Sequence, residues 1–147
     1  MFSKATLYAI QMLAYMASQK QNGQYFPVRK IGAELGLPVY FLSKIVKRLV
    51  RSGIVDTSRG IKGGMRFRKP PTQISLYDII QAFEGDKRFV DCILGLPQCE
   101  EFEGCTFHRR YLKIRDQLIG LFQKTSIAEI AKQWKRGAVQ TKEEKIQ

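Results

Sequence analysis

Hydrophobic and polar positions along this chain follow a helical rhythm for most of its length, broken once near the middle by a short two-residue alternation. Over residues 3–19 the positions Leu7, Ile10, Leu13, Ala14 and Ala17 are apolar, with Met12 and Met16 beside them. A helix apolar on nearly all sides predicts burial between two layers, with Tyr8 and Tyr15 serving packing. The polar run Gln19–Gln24 reads as a loop. Val28, Ile31 and Leu35 then mark one face of a short helix that Gly36 ends. A second helix is predicted from Leu37 to Arg51. Pro38 stands at its start, where a missing N–H costs nothing. Its buried stripe is Leu42, Ile45, Val46 and Leu49, and its other face carries Val39, Tyr40, Ser43, Lys44, Lys47, Arg48 and Arg51. Ser52-Gly53 supplies a left-handed stop.

Two short helices joined by a tight glycine turn form a helix-turn-helix. The two-residue rhythm follows: Ile54–Ser58 and Met65–Arg68 predict strands, joined through Arg59-Gly60-Ile61-Lys62-Gly63-Gly64. Pro70-Pro71 closes this hairpin. A helix-turn-helix followed by such a hairpin is a winged helix, which sets the second helix in the major groove of DNA. Arg59 and Lys62 at the wing tip suit phosphate contact or the minor groove. Glycines there permit positive φ and close backbone approach.

Helical rhythm resumes at Ser75 and runs to Glu84, with Leu76, Ile79, Ile80 and Phe83 as the core face and Gly85 as the stop. Residues 86–105 read as irregular, and a loop of that length carries a function or is disordered. From Thr106 a long helix is expected. Phe107, Tyr111, Ile114, Leu118 and Leu121 recur in steps of four and three, a coiled-coil-like seam. Leu112, Ile119 and Phe122 widen the stripe, so the helix can pack on its own chain as well as on a twin. A two-fold dimer would set two reading helices about one DNA turn apart on a near-palindrome. Residues Thr125–Glu129 begin a last short helix, and the tail rich in Lys, Glu and Gln is expected to be disordered.

The charge sharpens this picture by its position. Residues 1–70 hold 7 Lys and 6 Arg against Glu34 and Asp56, while residues 71–147 are nearly balanced within a total of +12. A polyanion such as nucleic acid is the natural partner of the first half, and an anionic membrane surface the weaker competitor. No run of about 18 apolar residues occurs, so no membrane span is expected. The start of the chain lacks a signal-peptide cleavage pattern, which points to a cytoplasmic protein. No nucleophile–base pair, phosphate-cradling loop or paired carboxylate setting is visible, which argues against an enzyme.

The remaining chemistry is the pattern Cys92-x6-Cys99-x5-Cys105-x2-His108, which uses every cysteine and the only histidine. Thiolates hold iron–sulfur clusters and also suit zinc. One helical turn puts His108 on the side of Cys105, completing a count of four donors. Zinc knuckles use closer cysteine pairs, so these spacings favour a cluster in a loop. The acidic neighbours Asp91, Glu100, Glu101 and Glu103 disfavour a bare thiolate sensor. A cluster-free regulator sensing oxidants through these thiols is the alternative.

Taken together, the motifs resemble the Rrf family of winged-helix regulators, the IscR/NsrR group. The resemblance rests on Leu37-Pro38-x-x-Phe41-Leu42, on Ser58-Arg59-Gly60-x-x-Gly63-Gly64, and on Pro71-x-x-Ile74-x-Leu76-x-Asp78-Ile79-Ile80 leading to Phe83-Glu84-Gly85. The cysteines with His108 and the stretch 125–131 complete it. The resemblance implies a homodimer crossed through the long helix, with a [2Fe–2S] cluster favoured over [4Fe–4S]. It also implies that His108 is the fourth ligand, since Tyr8 stands where other members draw on the partner's first helix. DNA contacts carried over are Tyr40, Ser43, Lys44, Arg59 and Gly64, joined by Lys47, Arg48, Lys62 and Gly63. The chain departs from the family at Met65, where an aromatic is usual, and at Ser43 and Lys44, where IscR-like proteins carry an acid and an amide.

The expected fold is therefore mainly α with a small β-hairpin: a winged helix-turn-helix plus a long dimerisation helix. Residues 1–85 would form the DNA-binding domain, 86–105 the cluster loop, 106–133 the dimerisation helix with the final short helix, and 134–147 the tail. Its partners would be double-stranded DNA with a palindromic operator and a second copy of the chain.

Overall fold

A computed structural model of the chain describes residues 1–96 and 105–135. Helix α1 (Lys4–Ser18) starts at Ser3, whose hydroxyl accepts the Thr6 N–H at 3.3 Å. It lies between layers, packed on one side by α2 (Val28–Leu35) and α3 (Val39–Arg51) and on the others by α4 (Leu76–Glu84) and α6 (Ile127–Lys135). Its buried set is Ala9, Met12, Leu13, Ala14 and Met16, while Leu7 stays 45% exposed. The sequence gives no phase here because every face is apolar, and the packing selects the Met12–Met16 side. Fully burying each of these large side chains is worth about 1.5–3 kcal/mol.

Gly36 adopts φ 60°, ψ 36° and turns α2 into α3, whose first helical residue is Val39 with Pro38 as the cap. That is two residues later than the pattern suggests, since the Pro38 ψ of 127° is extended. Leu42, Ile45 and Leu49 are buried beneath α3, as its stripe predicts. Gly32 in α2 sits directly against Leu42, so the two helices of the helix-turn-helix approach closely.

Strands β1 (Val55–Ser58) and β2 (Gly64–Phe67) pair antiparallel in the register Val55↔Phe67 to Ser58↔Gly64. The loop before α2 joins them: Phe26 and Met65 exchange backbone hydrogen bonds of 2.8 and 2.9 Å. Met65 is fully buried, so the residue that departs from the family pattern is a core residue. Ser75 and Asp78 form a reciprocal capping box that starts α4.

Helix α5 (Thr106–Lys124) spans 19 residues, none of them fully buried. The chain then returns to the core. The Leu76 N–H donates to the Thr125 carbonyl (2.9 Å) and the Ile127 N–H to the Ile74 carbonyl (2.8 Å). Helix α6 packs on α1, with Ile127 in the core and Ile130 and Trp134 against it. The architecture is a mainly helical winged helix-turn-helix with one long outlying helix. None of the described helices is long and apolar enough to cross a membrane.

Candidate nucleic-acid interface and cysteine segment

Burial of Leu42, Ile45 and Leu49 fixes the rotation of α3 and leaves Val39, Tyr40, Ser43, Lys44 and Lys47 exposed on the outer face. Tyr40, 73% exposed, packs its ring against Phe41 at 4.7 Å while remaining open to a partner. Arg48 is exposed on the same helix and also makes contacts within the chain. Its guanidinium donates to the Phe83 carbonyl at 2.7 Å and lies 5.8 Å from the Phe83 ring centroid. The cation expected to meet phosphate thus ties α3 to the end of α4.

At the wing, Arg59 and Lys62 are exposed, whereas Gly63 is buried and Gly64 half-buried. A Cβ on Gly64 would collide with the Phe26 carbonyl, and one on Gly63 with the Ser58 carbonyl. Both glycines therefore set the shape of the wing. Arg66 pairs with Asp56 across the hairpin at 3.3 Å and lies over the Tyr25 ring at 4.5 Å, stiffening its root. Sequence reasoning missed Ile61 at the tip, although an apolar residue inside a glycine-rich basic turn was itself a signal.

Cys105 is the N-cap of α5, and its sulfur accepts the His108 N–H at 3.4 Å. His108 is half-buried on the first turn of that helix. Cys92, also half-buried, lines a groove with Tyr111, Ile114 and Leu118 of α5 and with Phe2. Both cysteines thus lie along α5, Cys105 at its start and Cys92 beside its middle turns. Cys99 falls outside the described residues, as do Glu100, Glu101, Glu103 and residues 136–147. Among the described residues no three acidic, cysteine or histidine side chains gather as a metal-holding group. The Cys92 segment is braced from both sides. Arg115 of α5 donates to the Phe89 carbonyl at 3.0 Å, and the Phe89 ring stacks on Tyr77 of α4 at 5.9 Å.

Glu84 links the same region to α1, accepting from the Ser3 N–H at 2.7 Å and the Thr6 hydroxyl at 2.6 Å. Burial alone would raise its pKa. The hydrogen bonds from Thr6 and Ser3, with the Arg88 charge, outweigh that and hold the carboxyl below its ordinary value.

The seam residues of α5 face outward. Phe107, Ile114 and Leu121, spaced seven apart, are 50%, 62% and 59% exposed, with Tyr111 and Leu118 half-buried between them. Phe122, at the edge of this stripe, packs onto Phe2 (5.7 Å) and Phe89 (6.2 Å).

A family model described as "Rrf2: Iron-dependent Transcriptional regulator" matches residues 2–133. An HTH-type transcriptional regulator of Aquifex aeolicus (strain VF5) is 29% identical over 131 residues, 88% of this chain and 90% of that protein. Among solved structures, that of CymR (YrzC), the global cysteine regulator of B. subtilis, has a TM-score of 0.72 at 21% identity, covering 90% of this chain and 96% of the other. T. potens IscR has a TM-score of 0.73 at 19% identity, covering 99% and 96%.

Proposed function

The chain belongs to the Rrf2 family of transcriptional regulators, and from that premise we propose a homodimer that binds a near-palindromic operator under the control of an iron–sulfur cluster. The observation that carries the reading is the conjunction of two surfaces on one small core. One is the cationic face of α3 beside the wing. The other is the cysteine segment laid along α5.

On DNA, Tyr40, Ser43 and Lys44 meet base edges in the major groove, Lys47 a phosphate, and Arg59 and Lys62, on a wing shaped by Gly63 and Gly64, the minor groove. Arg48 acts by holding α3 on α4. A second copy covers Phe107, Tyr111, Ile114, Leu118 and Leu121, since α5 buries no residue fully within its own chain. The two α3 helices of such a dimer read half-sites about 34–36 Å apart.

Cys92, Cys99, Cys105 and His108 would hold the cluster, with [2Fe–2S] favoured over [4Fe–4S]. Three thiols and an imidazole are a donor set suited to iron–sulfur ligation. Tyr8 is committed to packing edge-on against Phe41 at 5.4 Å, which supports His108 as the fourth donor. Such a group supplies reversible electron transfer at a potential set by ligation and exposure. The protein's own part is to transmit the state of the Cys92 segment. Phe89 touches Tyr77 of α4, and the end of α4 is bonded to Arg48 of α3. A coupling of about 1–3 kcal/mol between cysteine segment and DNA is sufficient for control.

The test is purification without oxygen, followed by visible spectra and iron and sulfide assays. Anisotropy titrations on duplexes selected from a randomised pool then compare protein before and after chelation. The expected result is a coloured protein with near-stoichiometric iron and sulfide and an affinity that changes on iron removal. A colourless protein that refuses reconstitution yet binds DNA would leave the thiol-based regulator, a reading that the fold likeness to a cysteine regulator keeps in play.

A further inference from the structure

Ile61 is 103% exposed, the most exposed large apolar side chain among the described residues. It stands at the apex of the wing. The Gly63 N–H closes a turn onto the Gly60 carbonyl at 3.0 Å, so Ile61 and Lys62 occupy the two outermost positions. Exposed cations flank it, Arg59 before and Lys62 after.

The support under this tip is stiff. Four residue pairs join β1 to β2, and Met65 is buried and bonded both ways to Phe26. Gly63 and Gly64 fill spaces that admit no Cβ, and Gly64 holds φ 141°. A stiff hairpin thus presents an uncovered branched side chain between two positive charges. Nothing within the described chain covers it. A cation-flanked tip is drawn to the negative potential of a narrow minor groove. Once there, the apolar surface within its reach is the edge of the base stack, which side chains such as Ile enter as wedges.

We propose that Ile61 is an apolar wedge that enters the minor groove between two base pairs, partly unstacks them and kinks the duplex. This deepens the DNA-binding reading and rests on it. The wing then selects sequence without base hydrogen bonds, because pyrimidine–purine steps unstack most readily. Wedges of this type bend DNA by about 20–90°.

The test uses full-length wild type, Ile61→Ser and Ile61→Met on duplexes that the wild type recovers from a randomised pool. The duplexes are labelled at both ends so that affinity and end-to-end distance are read in the same sample. Wild type should shorten the end-to-end distance. Ile61→Ser should bind about tenfold more weakly, the scale of one lost apolar contact. It should also leave the duplex straighter, while Ile61→Met keeps both properties. A pyrimidine–purine step at the wing position should be enriched by the wild type and lost when the pool is selected with Ile61→Ser. Equal bending by Ile61→Ser, or weaker binding with the bend and the step preference intact, overturns the wedge and leaves DNA binding standing. A wild type that recovers no duplex removes the DNA-binding reading itself. Because Ile61 packs on nothing, its substitution leaves the fold in place, which circular dichroism verifies.

Discussion

Single residues decide the wing. Gly64 combines φ 141° with a backbone contact that leaves no room for a side chain. Gly64→Ala should destabilise the protein by more than about 1 kcal/mol, read as a lower urea midpoint with an unchanged slope. An unchanged midpoint would mean that the Phe26 segment yields freely. Some of this was legible in the sequence. Gly36 and Gly53 stood where helices had to stop, and they carry φ of 60° and 74°. A positive φ and a close backbone approach were expected of the wing glycines, but that Phe26 is what Gly64 approaches was not legible, because it lies far away in sequence. Arg48 teaches the same lesson. Its charge was visible at once, but its partner is a carbonyl 35 residues on, and no local pattern announces that.

Elements were read with uneven success, for reasons that differ from one to the next. The amphipathic α3 revealed its buried stripe, since a helix with one apolar face has a definite phase. By contrast α1, apolar all round, hid its phase, and Leu7 faces out while Ala9 is buried. The seam of α5 was legible as a heptad, and it lies on the open side of the helix. Ile114→Glu places a charge at the middle of that seam, where a partner helix would bury it unpaired. Sedimentation should show the dimer shifted to monomer, with operator affinity reduced at least tenfold. A variant that stays dimeric would move the subunit contact to another face. The proposed donors Cys92, Cys105 and His108 were singled out by spacing alone, whereas the bracing of the Cys92 segment through Phe89 by Arg115 and Tyr77 depends on elements that meet only in three dimensions.

At the scale of the whole molecule, the chain runs out from its core along α5 and comes back. The returning helix α6 packs on α1, adding Ile127 to the core with Ile130 and Trp134 against it, and is pinned by the bonds between Ile74–Leu76 and Thr125–Ile127. Deleting residues 126–147 should uncover Met12, Leu13 and Met16, abolishing cooperative thermal unfolding of the remaining chain. If the shortened protein melts in one sharp transition and binds DNA, α6 is dispensable. Because α6 follows the cysteine segment in the sequence and packs on α1 near the start of the chain, this closure orders events at the ribosome. A nascent chain cannot close its core around α1 until the cysteine segment, which lies earlier in the sequence, has already emerged.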